Sequence, residues 1–364
     1  MNKKLSILLA LLLVSLLSVS GCKKGEKSDA NKDTKKEAVK GTKKETKDTK
    51  KDIKKTVKKI TATSSAKLDL SYFPEQAVVV GSFDVKAFSA IKELKPMMEQ
   101  GFEEAKKNGI DLSTVSFLSY YVNIENLKGN NNDAAVLVSG LKIPENLLGK
   151  MGLKIKKEKY NDIDIMIDEK QDAGFAPLGN DLLAGSVKSI KKMIDVKKGK
   201  VKSLAKSDMA KEFNAILAKS NGAAFRIAFV VNKMASEQLQ KLSQGQGAMA
   251  ADFLKNLKSG SFSVSIVKDS LKFAFNFHSN KAGVNQVLAV AKPQLGMLTQ
   301  PNSPMLGMVQ PILGKEGTEI LGKVLKTLKV NNDGEYLSVT FETKLEYWTK
   351  APKIFGEALQ KMNK

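Results

Sequence analysis

Apolar and polar positions divide the chain into two regimes that meet near Leu68. Beyond that point, short apolar runs recur between polar turns. Ala77–Phe83 reads as a strand buried on both faces. Phe88, Ile91, Leu94, Met98 and Phe102 then fall near helical spacing up to Asn108-Gly109, and Pro96 is placed to break or kink that helix. Two strands, Val115–Ile124 and Ala134–Ser139, flank the turn-like Gly129–Asp133, and Pro144–Met151 reads as a short helix. Lys154–Tyr160 and Ile163–Ile167 predict a hairpin around Asn161-Asp162. Leu182–Ala184 is a strand that leads into a helix over Ser186–Val196.

The same grammar returns further on. Ala223–Val231 is a strand, and Met234–Leu242 a helix. Ser261–Val267 and Leu271–His278 make a strong hairpin around Lys268–Ser270, followed by a helix through Val284–Ala291. Thr327–Val330, the turn Asn331–Gly334, Tyr336–Glu342 and a last helix to Met362 repeat the hairpin-then-helix order at a spacing of about 66 residues. The class expected is α+β, mostly antiparallel sheets with helices packed on one face. Two similar halves are expected, residues 68–205 and 206–364.

Residues 22–67 follow a different pattern. Between Lys23 and Ile60, 16 lysines stand with seven acidic residues, and no aromatic residue interrupts them. Such a segment cannot bury enough surface to offset chain entropy and is expected to be a disordered tether. A flexible chain of about 45 residues spans about 35–40 Å between its ends and reaches about 150 Å when stretched. Ile53, Val57 and Ile60 share a helical face there, a stripe too narrow to change that expectation.

The tether explains much of the net charge of +22. The remaining excess is lysine throughout; Arg226 is the only arginine. Bidentate reading of bases and phosphates favours arginine, so no specific nucleic-acid partner is expected. A lysine-rich surface suits anionic headgroups or an acidic cell-wall polymer.

Residues 1–21 carry Lys3 and Lys4, the apolar run Leu5–Leu17, and Val19-Ser20-Gly21 before Cys22, the only cysteine. The run is short for a membrane span, which needs about 20 residues. Its order of charged start, apolar core and small residues is that of a secretory signal. This segment resembles the signal of bacterial lipoproteins. The resemblance implies cleavage before Cys22, acylation of that residue, and attachment to a membrane through the lipid, with the outer membrane favoured. Within the rest of the chain, Phe73-Pro74-Glu75-Gln76-Ala77-Val78-Val79 and Leu182-Leu183-Ala184-Gly185-Ser186 loosely resemble stretches of uncharacterised bacterial envelope and secreted domains. That likeness brings no activity with it.

Candidate chemistry is sparse. His278 is the only histidine. It ends a strand, and a solvent-facing role is expected there, since one histidine without free thiolates makes no usual zinc site. No Gly-x-Ser-x-Gly elbow accompanies it. Gly317–Lys323 matches the start of a phosphate loop but runs into Val324 where Ser or Thr should follow. Asp162, Asp164 and Asp168 alternate with Ile163, Ile165 and Ile167, as expected of a half-buried strand. No cofactor or metal is expected. Pro293–Gly314 is the unusual stretch, apolar yet broken by four prolines and three glycines. It reads as irregular, with Met297, Met305 and Met308 as candidate contacts for a lipid or protein partner. The favoured role is a non-enzymatic envelope lipoprotein that binds an envelope protein, a wall polymer or lipid. A carrier or sensor of an apolar ligand is the alternative, and a hydrolase the third reading.

Overall fold

The computed structural model describes residues 68–351 and 354, apart from 108, 124–132, 142–154, 169–171, 232–252 and 301–302. Cys22, the tether, and the helices expected at Pro144–Met151 and Met234–Leu242 lie outside the described residues. The strands are β1 (Val79–Asp84), β2 (Phe117–Asn123), β3 (Asp133–Ser139), β4 (Ile155–Tyr160), β5 (Ile163–Asp168), β6 (Ala173–Leu178), β7 (Asp181–Ser186), β8 (Phe225–Val230), β9 (Ser259–Val267), β10 (Ser270–His278), β11 (Lys329–Asp333) and β12 (Tyr336–Lys344). All join one 12-stranded sheet in the order β11-β12-β10-β9-β8-β1-β2-β3-β7-β6-β5-β4. Every pairing is antiparallel. The order runs outward alike from the central pair: β8-β9-β10 on one side, β1-β2-β3 on the other.

The helices are α1 (Val85–Ser89), α2 (Lys95–Lys107), α3 (Val187–Lys197), α4 (Ala210–Ala218), α5 (Lys281–Leu298), α6 (Pro304–Leu325) and α7 (Leu345–Trp348). The α+β class is as expected, while the helices cover both faces of the sheet rather than one. Strand alternation explains this. Val80, Tyr121, Leu137 and Leu183 point to one side and pack with Ile190, Met193 and Ile194 of α3 and Phe213 and Ile216 of α4. Phe83, Leu118, Val138 and Leu182 point the other way and meet Phe88 of α1, Met98 of α2 and Leu345 of α7. A third cluster gathers Val284 and Leu288 of α5 with Leu337 of β12. Each such side chain contributes about 1.5–3 kcal/mol when fully buried.

Local chemistry fixes the boundaries. Pro96 lies in the first turn of α2, where its missing N–H costs nothing, so the expected long helix divides into α1 and α2. Asn161 and Asp162 both take positive φ, 49° and 66°, and turn β4 into β5 as the tight hairpin that their sequence predicts. Ser186 caps α3, accepting from the Ser189 N–H at 3.2 Å. Strand β6 contains Pro177 and was not legible as a strand. It pairs with β5 only over Ala173–Phe175, so Pro177 owes that neighbour no hydrogen bond.

A row of rings crosses the sheet on the α1 side: Phe83 of β1 to Phe225 of β8 at 6.1 Å, then Phe262 of β9 at 5.9 Å. Phe273 of β10 stacks in turn on Phe341 of β12 at 4.8 Å. The opposite side of these strands is polar yet buried. Arg226 donates to Ser82 across the β1–β8 pair at 3.0 Å, and Asn276 donates to Ser261. The sheet ends at β4 and β11. Strand β4 exposes Lys156, Lys157 and Lys159, and β11 exposes Asn331, Asn332 and Asp333.

Candidate functional site

The Pro293–Gly314 stretch is helical up to Leu298 and again from Pro304, which corrects the irregular segment expected from its prolines and glycines. Asn280 caps α5 by accepting from the Gly283 N–H at 2.7 Å, and the helix continues past Pro293 to Leu298. Pro304 opens α6 at the first helical position, where its fixed φ suits a start. Helix α6 is broken by a bend at Gly314, with φ 70° and ψ 178°. That backbone state is open to glycine and strained for other residues. Two helices with a bent second member thus stand where a loop was expected.

Their outer surface mixes exposed polar residues, Lys292, Gln294, Gln310 and Lys315 among them, with exposed apolar ones. Met297 is 57% exposed, Met308 77% and Ile312 37%. The Met305 side chain lies outside those described. Among its described side chains, α6 fully buries none; Leu306, Val309, Leu313, Ile320 and Leu321 are all partly in solvent. No helix among the described residues is long and apolar enough to cross a membrane. The arrangement therefore offers a half-covered helix pair fixed to β11 and β12.

His278 is not the surface residue expected at a strand end. It is buried and held between two carboxylates: Nδ1 lies 2.6 Å from Glu212 of α4, and Nε2 lies 3.0 Å from Glu335 on the β11–β12 turn. Its ring stacks on Tyr336 at 4.4 Å. Lys258 reaches Glu335 at 3.1 Å, and Ser259 donates to the Glu212 oxygen that faces His278. The His278 hydrogen bond, and then Lys258, hold the Glu335 carboxyl below its usual range. Burial, and then the Glu212 charge, push the Tyr336 hydroxyl up. Both imidazole nitrogens are committed to carboxylates, so the ring joins α4, β10 and the β11–β12 turn, and among the described residues it faces no serine hydroxyl as a base.

A second node gathers around Asp133 at the start of β3. It accepts from Lys192 of α3 at 2.8 Å and from the Ser189 hydroxyl, and Asn123 approaches at 3.4 Å. Burial raises its carboxyl, but the hydrogen bonds from Lys192 and Ser189 and the charges of Lys192 and Lys188 outweigh this, and the net shift is downward. The other motifs resolve simply. Asp164 pairs with Lys157 at 2.9 Å, while Ile165 and Ile167 enter the core. Asp168, expected in water, is buried. Gly317–Lys323 lies within α6, so its backbone N–H groups cannot cradle a phosphate as a loop would. Among the described residues, no three His, Cys, Asp or Glu side chains gather to hold a metal. Glu212, Glu335, Lys258 and Asp133 carried no local signal in the sequence. Glu212 and Glu335 stand 66 and 57 positions from His278, and only the fold brings them together.

No family model and no curated protein matches the chain. Among solved structures, crystal form III of TP0453 is similar at a TM-score of 0.41 and 11% identity, over 79% of this chain and 98% of that one. Crystal form I of TP0453 is similar at 0.40 and 10%, over 80% and 99%. At such scores the likeness carries no functional argument.

Proposed function

We propose that this protein is a lipid-anchored, non-enzymatic binding protein of the bacterial envelope. The observation that carries this reading is the signal-like segment ending Ser20-Gly21-Cys22. The start of the core supports it. Leu68 and Leu70, each 5% exposed, already belong to the main cluster, which agrees with a folded region that opens near Leu68. The engagement of both His278 nitrogens supports a binding role over a hydrolytic one. Three acyl chains on Cys22, as the signal implies, hold a protein far longer than one chain, which binds only reversibly.

The test is fractionation with a fatty-acid analogue. The wild-type chain is expected in the membrane fraction and labelled. Cys22→Ser is expected unlabelled and released, or unprocessed. Equal labelling of the two proteins overturns the anchor.

A second reading is favoured by Met297, Met308 and Ile312, three large apolar side chains exposed on the α5–α6 pair. On this reading the pair contacts lipid, and the protein acts as a sensor or carrier of an apolar ligand.

A further inference from the structure

Charged groups of both signs meet at the His278 ring, and each comes from a different element. Glu212 faces Nδ1 from α4 at 2.6 Å, and Glu335 faces Nε2 from the β11–β12 turn at 3.0 Å. Lys258, just before β9, stands 3.4 Å from the same Nε2 while it donates to Glu335 at 3.1 Å. Tyr336 of β12 stacks on the ring at 4.4 Å. Lys219, at the end of α4, lies over the Tyr336 ring at 4.5 Å and pairs with Asp333 of β11 at 2.8 Å. His278 is only 8% exposed, so water has little access to the cluster.

The two ring nitrogens are not equivalent. A carboxylate only accepts, so a nitrogen that faces one is satisfied when it carries a proton. Among the described residues Nδ1 faces only Glu212, and Ser259 donates to the same carboxylate oxygen rather than to the ring. Nδ1 therefore keeps its proton whatever the charge of the ring. Nε2 has two neighbours and a choice. With a proton it donates to Glu335. Without one its lone pair opposes that carboxylate, but the Lys258 ammonium lies at hand with N–H groups to donate. We propose that His278 is a proton-dependent latch. The imidazolium bridges Glu212 to Glu335. When Nε2 gives its proton to water, the ring keeps the Glu212 bond, accepts from Lys258, and leaves the β11–β12 turn to Lys258 alone.

The latch sits where its state reaches the backbone. His278 ends β10, and α5 begins at Lys281. The Ser279 N–H donates to the Glu335 carbonyl at 3.0 Å, and the Lys258 N–H donates to the His278 carbonyl at 2.8 Å. The chain that leads into α5 is thus bonded to the same two residues between which Nε2 chooses. The inference goes beyond the proposed binding role and does not depend on it.

The experiment is nitrogen NMR of the full chain in detergent micelles, with nitrogen-15 in histidine, so that a single imidazole is seen. The range runs from about pH 5 to about pH 9, either side of the ordinary histidine value. At the acid end both ring nitrogens are expected to be protonated. At the alkaline end Nδ1 is expected to stay protonated and Nε2 to be bare, the opposite of the tautomer that free histidine favours. Lys258→Met removes the alternative donor and is expected to move the transition up by about half a pH unit. Glu335→Gln removes a facing charge and is expected to move it down by about as much. Both side chains are about half exposed, so neither change empties the core. The Ser279 amide, unique as the only one after a histidine, is expected to shift with the same midpoint. A bare Nδ1 at the alkaline end, no transition in the range, variant transitions that stay or move the other way, or a Ser279 amide indifferent to the transition overturns the latch.

Discussion

Glu335 stands largely in water on the β11–β12 turn, yet its carboxyl is held below the usual range, first by the His278 hydrogen bond and then by Lys258. A carboxyl depressed in the folded state contributes stability above its unfolded value, and that contribution is lost as pH falls through the folded value. The unfolded value for glutamate is about 4.3, so the loss belongs to the interval below about pH 5. Melting temperatures of the wild type and Glu335→Gln, followed from pH 6 to 3, test this. The fall on acidification is expected to be shallower in the variant, and parallel curves would refute the assignment. The same cluster marks the limit of reading residues in isolation. His278 could be placed at a strand end from Leu271–Phe277, but its burial could not be foreseen. Its partners come from α4 and a distant turn, and nothing beside position 278 announces them.

At the scale of elements, legibility followed local chemistry. Alternation revealed β9 and β10, Asn161-Asp162 revealed a hairpin, and Ser186 announced α3. The prolines misled between Pro293 and Gly314, because their cost depends on position within a helix. Pro304 sits where a helix begins, and α5 and α6 continue through Pro293 and Pro311. The exposed residues of this pair make a prediction. Met297→Ser and Met308→Ser are each expected to change stability by less than about 0.5 kcal/mol, as exposed sites do. Leu288→Ala, at a buried site of α5, is expected to cost about 2–5 kcal/mol. Urea unfolding of the three variants separates the cases. If the lipid reading holds, co-sedimentation of unacylated Cys22→Ser protein with phosphatidylglycerol vesicles is weakened by both methionine changes. A large stability loss in both methionine variants would make the pair ordinary core.

For the whole molecule, the sequence suggested two halves, and the strand order mirrors about the β1–β8 pair. What it could not convey is that one sheet runs through both, because that depends on Val79–Phe83 pairing with Phe225–Phe229, far along the chain. The ring row from Phe83 to Phe225 crosses the same junction. Such continuity predicts one cooperative transition. Trp348, the only tryptophan, stacks near Phe273 in the second half, so its fluorescence reports that half while far-UV circular dichroism reports the whole. The two melts are expected to coincide. An earlier tryptophan transition would mean that the halves unfold separately.

Among the described residues, the sheet's outermost strands are β4 and β11, and those two are the most hydrophilic in it. Lys156, Lys157 and Lys159 guard one end; Asn331, Asn332 and Asp333 guard the other. Molecules concentrated on a surface, as the proposed anchor requires, collide edge to edge far more often than in solution. Like-charged lysines facing one another make strand addition between neighbours unfavourable. The lysines of β4 are then a safeguard against the pairing of that rim with its own copy in a crowded layer.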